Sequence, residues 1–260
     1  TTALGHMSLN SNTTGADNLA SGTYNSQYNT TGSANTSVGS HGLQNNTIGN
    51  DNTTLGYVTL KNNTQGDNNT AIGSRAGEDL NTNSNNNTFL GSGADTTSGT
   101  TLSNSTAIGS GAIVTASNKI RLGNTNVTSI EGQVAWTNAS DRRLKKDITS
   151  TKYGLETILK LVPVDYLLKS NNLSQIGFIA QDLKPIVPEA VNGTEGDIEK
   201  GETLGITYTS IIPILTKAIQ EQEKVIREQE VLNEKQKVNI DTLTKTIDSI
   251  IKRIDTLENK

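Results

Sequence analysis

The chain has 260 residues, of which 32% are hydrophobic and 3% aromatic, too little apolar material for an ordinary globular enzyme core of this length. It has no cysteine and only two histidines, His6 and His41, which excludes disulfides, thiolate chemistry and multi-histidine metal cages, so no metal and no other cofactor is expected. The net charge of −4 leaves no basic footprint for nucleic acid, and no apolar run approaches the roughly 18 residues that would imply membrane insertion. No secretory leader opens the chain, and Thr1 falls in mid-pattern, as expected for the C-terminal part of a longer protein.

The averages hide a division. Residues 1–139 hold 11 of the 48 charged side chains and 18 of the 24 glycines but none of the four prolines, so the two halves are not expected to serve one purpose in one way. Within 1–139 a small-apolar-Gly motif recurs, as in Thr2-Ala3-Leu4-Gly5, Thr36-Ser37-Val38-Gly39 and Thr70-Ala71-Ile72-Gly73. Its glycines, Gly5, Gly22, Gly39, Gly56 and Gly73, are spaced by 17; Gly91 and Gly109 follow after steps of 18 and Gly123 after 14. A second frame carries Asn12, Asn29, Asn46 and Asn63, and a third Asn18, Asn35, Asn52 and Asn69. Composition alone would favour a disordered tract. The strict register favours stacked units instead, each a rung of two short strands and two turns with asparagine ladders up the stack. One or two apolar residues per rung bury little in one chain, so several chains are expected to share the axis of a β-roll or β-helix-like fibre.

Residues 140–210 read as a small α+β module. Apolar stretches run over 176–180 and 204–208, and a helix is predicted over 154–161, ahead of Pro163. At its start lies Ser140-Asp141-Arg142-Arg143-Leu144-Lys145-Lys146-Asp147-Ile148. A serine and a lysine five residues apart can meet across a bend. A lysine acts as base only when neutral, which burial or nearby like charges favour, and Arg142, Arg143 and Lys146 are such charges. A solvated basic run in a linker is the plainer reading of these residues taken alone. A nucleic-acid or nuclear-targeting tract is opposed by the acidic balance.

Residues 211–260 carry heptads. Ile212, Ile219, Ile226, Asn233, Ile240, Ile247 and Ile254 occupy the a positions. Leu215, Gln222, Gln229, Gln236, Leu243, Ile250 and Leu257 occupy d. This predicts a coiled coil about 70 Å long. Isoleucine at a with mixed d residues leans away from a dimer, and the polar block from Gln222 to Gln236 fixes register, so a parallel trimer is expected.

The segment from Ser140 resembles the entry motif of the peptidase S74 family, the intramolecular chaperone domain of phage tailspikes and tail fibres: a Ser-Asp pair, then Leu-Lys, then Ile. Further parts of the pattern follow in order: Tyr153-Gly154-Leu155, Leu161-Val162-Pro163-Val164, Gly177-Phe178-Ile179-Ala180-Gln181, Val187-Pro188-Glu189, Tyr208, and Ile212-Pro213-Ile214-Leu215 leading into Ala218-Ile219-Gln220-Glu221. Residues 1–139 look like the head repeats of trimeric adhesins and the fibre repeats that often precede this domain. The resemblance implies a homotrimer whose C-terminal domain folds the upstream fibre of the same chain and is then cut off in cis. It implies Ser140 as nucleophile and marker of the cleavage site and Lys145 as general base; the bond between Ser140 and Asp141 is the preferred cleavage site, with the bond on the other side of Ser140 as the alternative. Gln181 fits a packing role as well as a catalytic one. The setting implied is a virion tail fibre or other extracellular or cell-surface fibre with a host-surface receptor. The alternative is a structural or adhesive fibre whose C-terminal module is a permanent, non-cleaving trimer clamp. An autotransporter adhesin would end in membrane strands, whereas this sequence ends in polar Asp255-Thr256-Leu257-Glu258-Asn259-Lys260.

Overall fold

The computed structural model describes residues 1–198 and 202–258, with the side chain of 258 left aside. The chain forms two compact units. The first is a β-solenoid of about seven turns. Its strands are β1 (Thr2–Leu4), β2 (Leu19–Ser21), β3 (Thr36–Val38), β4 (Thr53–Leu55), β5 (Thr70–Ile72), β6 (Thr88–Leu90), β7 (Asp95–Thr96), β8 (Thr106–Ile108), β9 (Ile113–Val114) and β10 (Ile120–Leu122). All but β7 and β9 form one parallel eight-stranded sheet in sequence order, and β7 pairs with β9 in a second parallel pair. Each strand pairs in the register set by the glycine spacing, as in Thr36↔Thr53 and Val38↔Leu55.

Most rungs have one named strand rather than the two expected. The stretch opposite the sheet still bonds rung to rung, as Leu43 N–H does to Thr59 C=O at 2.9 Å. It alternates residues of positive φ, for example His41 at 60° and Leu43 at 47°, and that alternation breaks extended geometry. Glycine closes each strand because rungs meet backbone to backbone: Gly39 has φ 125°, and a Cβ there would run into the carbonyl of Gly56.

The first rungs are filled by amides. Asn52 Nδ2 donates to the Gly66 carbonyl at 2.8 Å, and Asn52 Oδ1 accepts the Asn69 backbone N–H at 3.0 Å; Asn35 and Asn69 repeat the pattern. The ladder of Asn12, Asn29, Asn46 and Asn63 ends where Leu80 takes the next equivalent position, and Asn63 Oδ1 is left without a partner among the described residues. From there the interior turns apolar, around Leu60, Leu80, Phe89, Leu102 and Val114. The third residue of many strands faces outward, so Leu4, Leu55, Ile72, Leu90 and Ile108 form an exposed apolar file.

The second unit begins at Trp136. It contains α1 (Leu155–Ile158), β11 (Val164–Leu167), β12 (Ser174–Gly177), α2 (Ala180–Leu183), β13 (Val191–Gly193), β14 (Leu204–Ile206) and α3 (Ile211–Glu258). α1 is shorter than the predicted 154–161 helix, because Leu161 N–H bonds Ile158 three residues back and the turn tightens before Pro163. Leu183, Val187, Ala190, Ile211 and Ile214 form the core, with Tyr153, Ile158, Leu161 and Ile206 against it. The start of α3 therefore belongs to this core. Counted from Ile211, the helix is one continuous rod of 48 residues, about 72 Å long. Its heptad residues Ile219, Ile226, Ile240, Leu243, Ile247, Ile250 and Ile254 are exposed in the single chain. Among the described residues no helix is long and apolar enough to cross a membrane.

Two predictions concern the solenoid interior. Asn52→Ala strands the Gly66 carbonyl and the Asn69 N–H in a buried ladder and should lower stability by roughly 2–4 kcal/mol in denaturant unfolding. Asp95 is buried, and burial pushes its carboxyl up to about 7 from 3.8, against the Asp79 and Thr96 backbone N–H groups that favour its charged form. A raised carboxylate pKa gives stability that is full below the unfolded value and lost as pH rises through the folded one. Thermal stability should therefore fall from about pH 4 to about pH 7, and Asp95→Asn should flatten that slope.

Candidate functional site: the Ser140–Lys145 turn

The residues from 125 to 152 are exposed along their whole length, yet 140–145 has a defined local fold. Asp141 is extended and caps a short 3-10 turn, Arg142–Leu144, by accepting the Arg143 backbone N–H at 2.8 Å. The Arg143 guanidinium returns to the same carboxylate, with Nη2 to Oδ2 at 2.7 Å and Nε to Oδ1 at 3.1 Å. This contact holds the Asp141 carboxyl below the usual carboxylate range and raises Arg143 in turn. Lys145 N–H closes the turn on the Arg142 carbonyl at 3.1 Å, and Lys145 then leaves in extended conformation.

The result is a return of the lysine side chain over the turn. Lys145 Nζ donates to Ser140 Oγ at 2.7 Å. The structure thus brings Ser140 and Lys145 together, with Asp141 between them in sequence and locked by Arg143. The Arg143 clamp did not emerge from sequence reasoning, where Arg143 counted only as a nearby positive charge; an acidic cap two residues ahead of an arginine was the available signal. The lysine here is a donor, and nothing in the single chain shields it. Large apolar side chains flank the pair without cover: Val134 and Trp136 before it, Leu144 and Ile148 after it.

The other motif residues hold the module together. Tyr153 Oη donates to Glu189 Oε2 at 2.6 Å, and this bond is the main reason the Glu189 carboxyl is depressed. Lys152 Nζ lies 3.3 Å from the same carboxylate. Glu221 on α3 accepts the Leu155 backbone N–H at 2.8 Å, and a side chain at Gly154 would collide with its carboxylate. Tyr208 Oη accepts the Phe178 N–H at 3.1 Å, and a Cβ at Gly177 would strike that hydroxyl. A side chain at Gly154 or Gly177 would therefore displace the Glu221 or the Tyr208 contact. Gln181 lies in α2 on an exposed position.

Residues 140–192 match the Peptidase_S74 family, chaperone of endosialidase. The match starts on Ser140 and is the family that the motif resembles. No curated protein and no solved structure matches the chain.

Glu221→Ala should loosen the attachment of α1 to α3 by about 1 kcal/mol, the scale of one partly exposed charge-assisted hydrogen bond. The readout is hydrogen exchange at Leu155 and its neighbours, which should speed up while exchange in the solenoid stays unchanged.

Proposed function

We propose that this chain, with its chaperone-of-endosialidase domain opening at Ser140, is the C-terminal part of a homotrimeric fibre that the domain assembles and then leaves by autoproteolysis. The observation that carries the reading is the 2.7 Å contact between Lys145 Nζ and Ser140 Oγ at the first residue of the family match. Two unpartnered apolar files support the trimer: the strand file of Leu4, Leu55, Ile72, Leu90 and Ile108, and the a and d residues of α3. The long helix aligns three copies and raises their local concentration, and the polar rungs, weakly specified on their own, then stack in register. The assembled protein is a virion tail fibre or a cell-surface fibre, with a receptor on the host surface.

In the proposed chemistry Lys145 must first be neutral. Covering Trp136, Leu144 and Ile148 in the trimer removes water from around the amine and favours the neutral form. The amine takes the Ser140 Oγ proton, and the alkoxide adds to the carbonyl of Ser140. The C–N bond to Asp141 breaks, the Asp141 nitrogen takes the proton back from Lys145, and water hydrolyses the ester. Attack by Oγ on the carbonyl of its own residue would close a strained β-lactone. In this reading the Ser140–Asp141 bond is cut not within the chain, as the family resemblance implied, but by Ser140 of another copy in the same trimer, and cleavage reports completed assembly. The role of Arg143 is to hold the turn that aims the lysine.

Wild-type chain should yield two fragments, and the C-terminal one should begin at Asp141. Ser140→Ala should stay intact and still assemble, and Lys145→Ala should slow the cut by about 10²–10⁴-fold, the range for loss of a general base. Intact mass, Edman degradation and light scattering read all three. A wild-type chain that keeps its full mass under every condition would mean a permanent clamp, and efficient cleavage of Ser140→Ala would remove the dyad.

A further inference from the structure

We propose that a row of rings on the first four rungs of the solenoid, His6, Tyr24, His41 and Tyr57, is a binding site for a neutral saccharide chain. The rings follow β1, β2, β3 and β4 in turn, one or two residues after the closing glycine. Their centroids are 5.5, 5.2 and 6.0 Å apart, edge-on between His6 and Tyr24, stacked between Tyr24 and His41, and edge-on again to Tyr57. Both histidines of the chain are in this row.

The fold does not ask for rings here. Tyr24 and His41 sit at φ 54° and 60°, a region where bulky side chains are unfavourable. On later rungs the same position is Gly93 at 63° and Gly111 at 64°. A Cβ at Gly93 would meet nothing within 4 Å, so on that rung the position opens to solvent, and on the rung after His41 it is filled by the buried Val58; a side chain can pack here, but no ring is required. Rung stacking also fixes the backbone beneath the rings: Tyr24 N–H bonds the His6 carbonyl at 2.9 Å and His41 N–H bonds the Thr23 carbonyl at 3.0 Å. The row is thus preorganised, and a ligand binding it orders little.

Its chemistry is mixed. Tyr57 is 55% exposed and His6 is exposed, giving ring surface with polar tips. Beside the rings runs a pair of amides: His41 Nδ1 is 3.1 Å from Gln44 Oε1, and Gln44 Nε2 donates to Gln27 Oε1 at 3.2 Å. From His6 to Tyr57 the only charged residues are Asp17 and Asp51. Flat C–H faces that pack on rings, and hydroxyls that bond amides and imidazoles without charge, describe a neutral sugar chain. A second copy of the protein fits less well. The apolar strand file runs on through Leu90 and Ile108, whereas the ring row stops at the fourth rung, and a contact between copies along the solenoid has no reason to stop there.

The test uses the full chain with the residues that other rungs carry at these positions: Tyr24→Gly, His41→Gly and Tyr57→Ser, singly and combined. Short cello-, malto-, manno- and N-acetylchito-oligosaccharides are titrated by calorimetry, with a sialic-acid oligomer as the anionic comparator. At least one neutral series should bind, and the combined variant should weaken it by at least about 10-fold, the effect of removing aromatic anchors. Its melting temperature and assembly state should match the wild type. Binding by no neutral series, equal binding by the variant, preference for the sialic-acid oligomer, or loss of folding or assembly in the variant would each overturn the proposal. None of these outcomes depends on whether Ser140 is cut.

Discussion

The solenoid rests on one constraint: a buried polar group must find a partner, and here one column of asparagines finds it a rung away at every step. Asn18, Asn35, Asn52, Asn69 and Asn87 each pass a carbonyl oxygen to the backbone N–H of the next asparagine in the ladder. At the last step the donor is Ser105, not asparagine, and its backbone N–H and its hydroxyl both donate to Asn87 Oδ1. Breaking register by one residue would leave every one of these amides buried and unpaired. That penalty, repeated along the stack, is what converts a polar, almost uncharged sequence into an ordered body. Side-chain hydrophobicity contributes mainly in the later rungs, where Leu80 takes the place of an amide and Phe89 and Leu102 are buried with it.

The same economy of apolar residues shapes the rest of the molecule. A rung that spends its interior on asparagine places its leucine or isoleucine outside, at Leu55 or Ile72. The second unit has a small core, five buried residues, two of which belong to the first turns of α3. Its fold is therefore joined to the long helix through Ile211, Ile214 and the Glu221 contact with α1.

Within the second unit Ser140 and Lys145 occupy a turn that is complete in itself. Six residues, a carboxylate cap and an arginine are enough to set the distance from Nζ to Oγ. That geometry is local and present in one chain, and Trp136, Leu144 and Ile148 beside it are exposed.

By itself the sequence determined the features that repeat or that are local. The 17-residue spacing carried over directly into strand register, because every rung must offer its bonds at the same place as the last. The heptads marked one long helix, and Ser140 through Lys145 is short enough for its turn to be read from residue types. Only the tertiary structure decided the rest. Alternating positive φ at residues such as His41 and Leu43 leaves most rungs with a single strand, which composition could not foretell. Glu221 reaches Leu155 across 66 positions, and Tyr208 reaches Phe178 across 30; pairings at such separations are fixed by packing, not by spacing. The ring row belongs to both: its members recur in the sequence one rung apart, but that they stack into one file on an open edge was settled only by the winding of the chain.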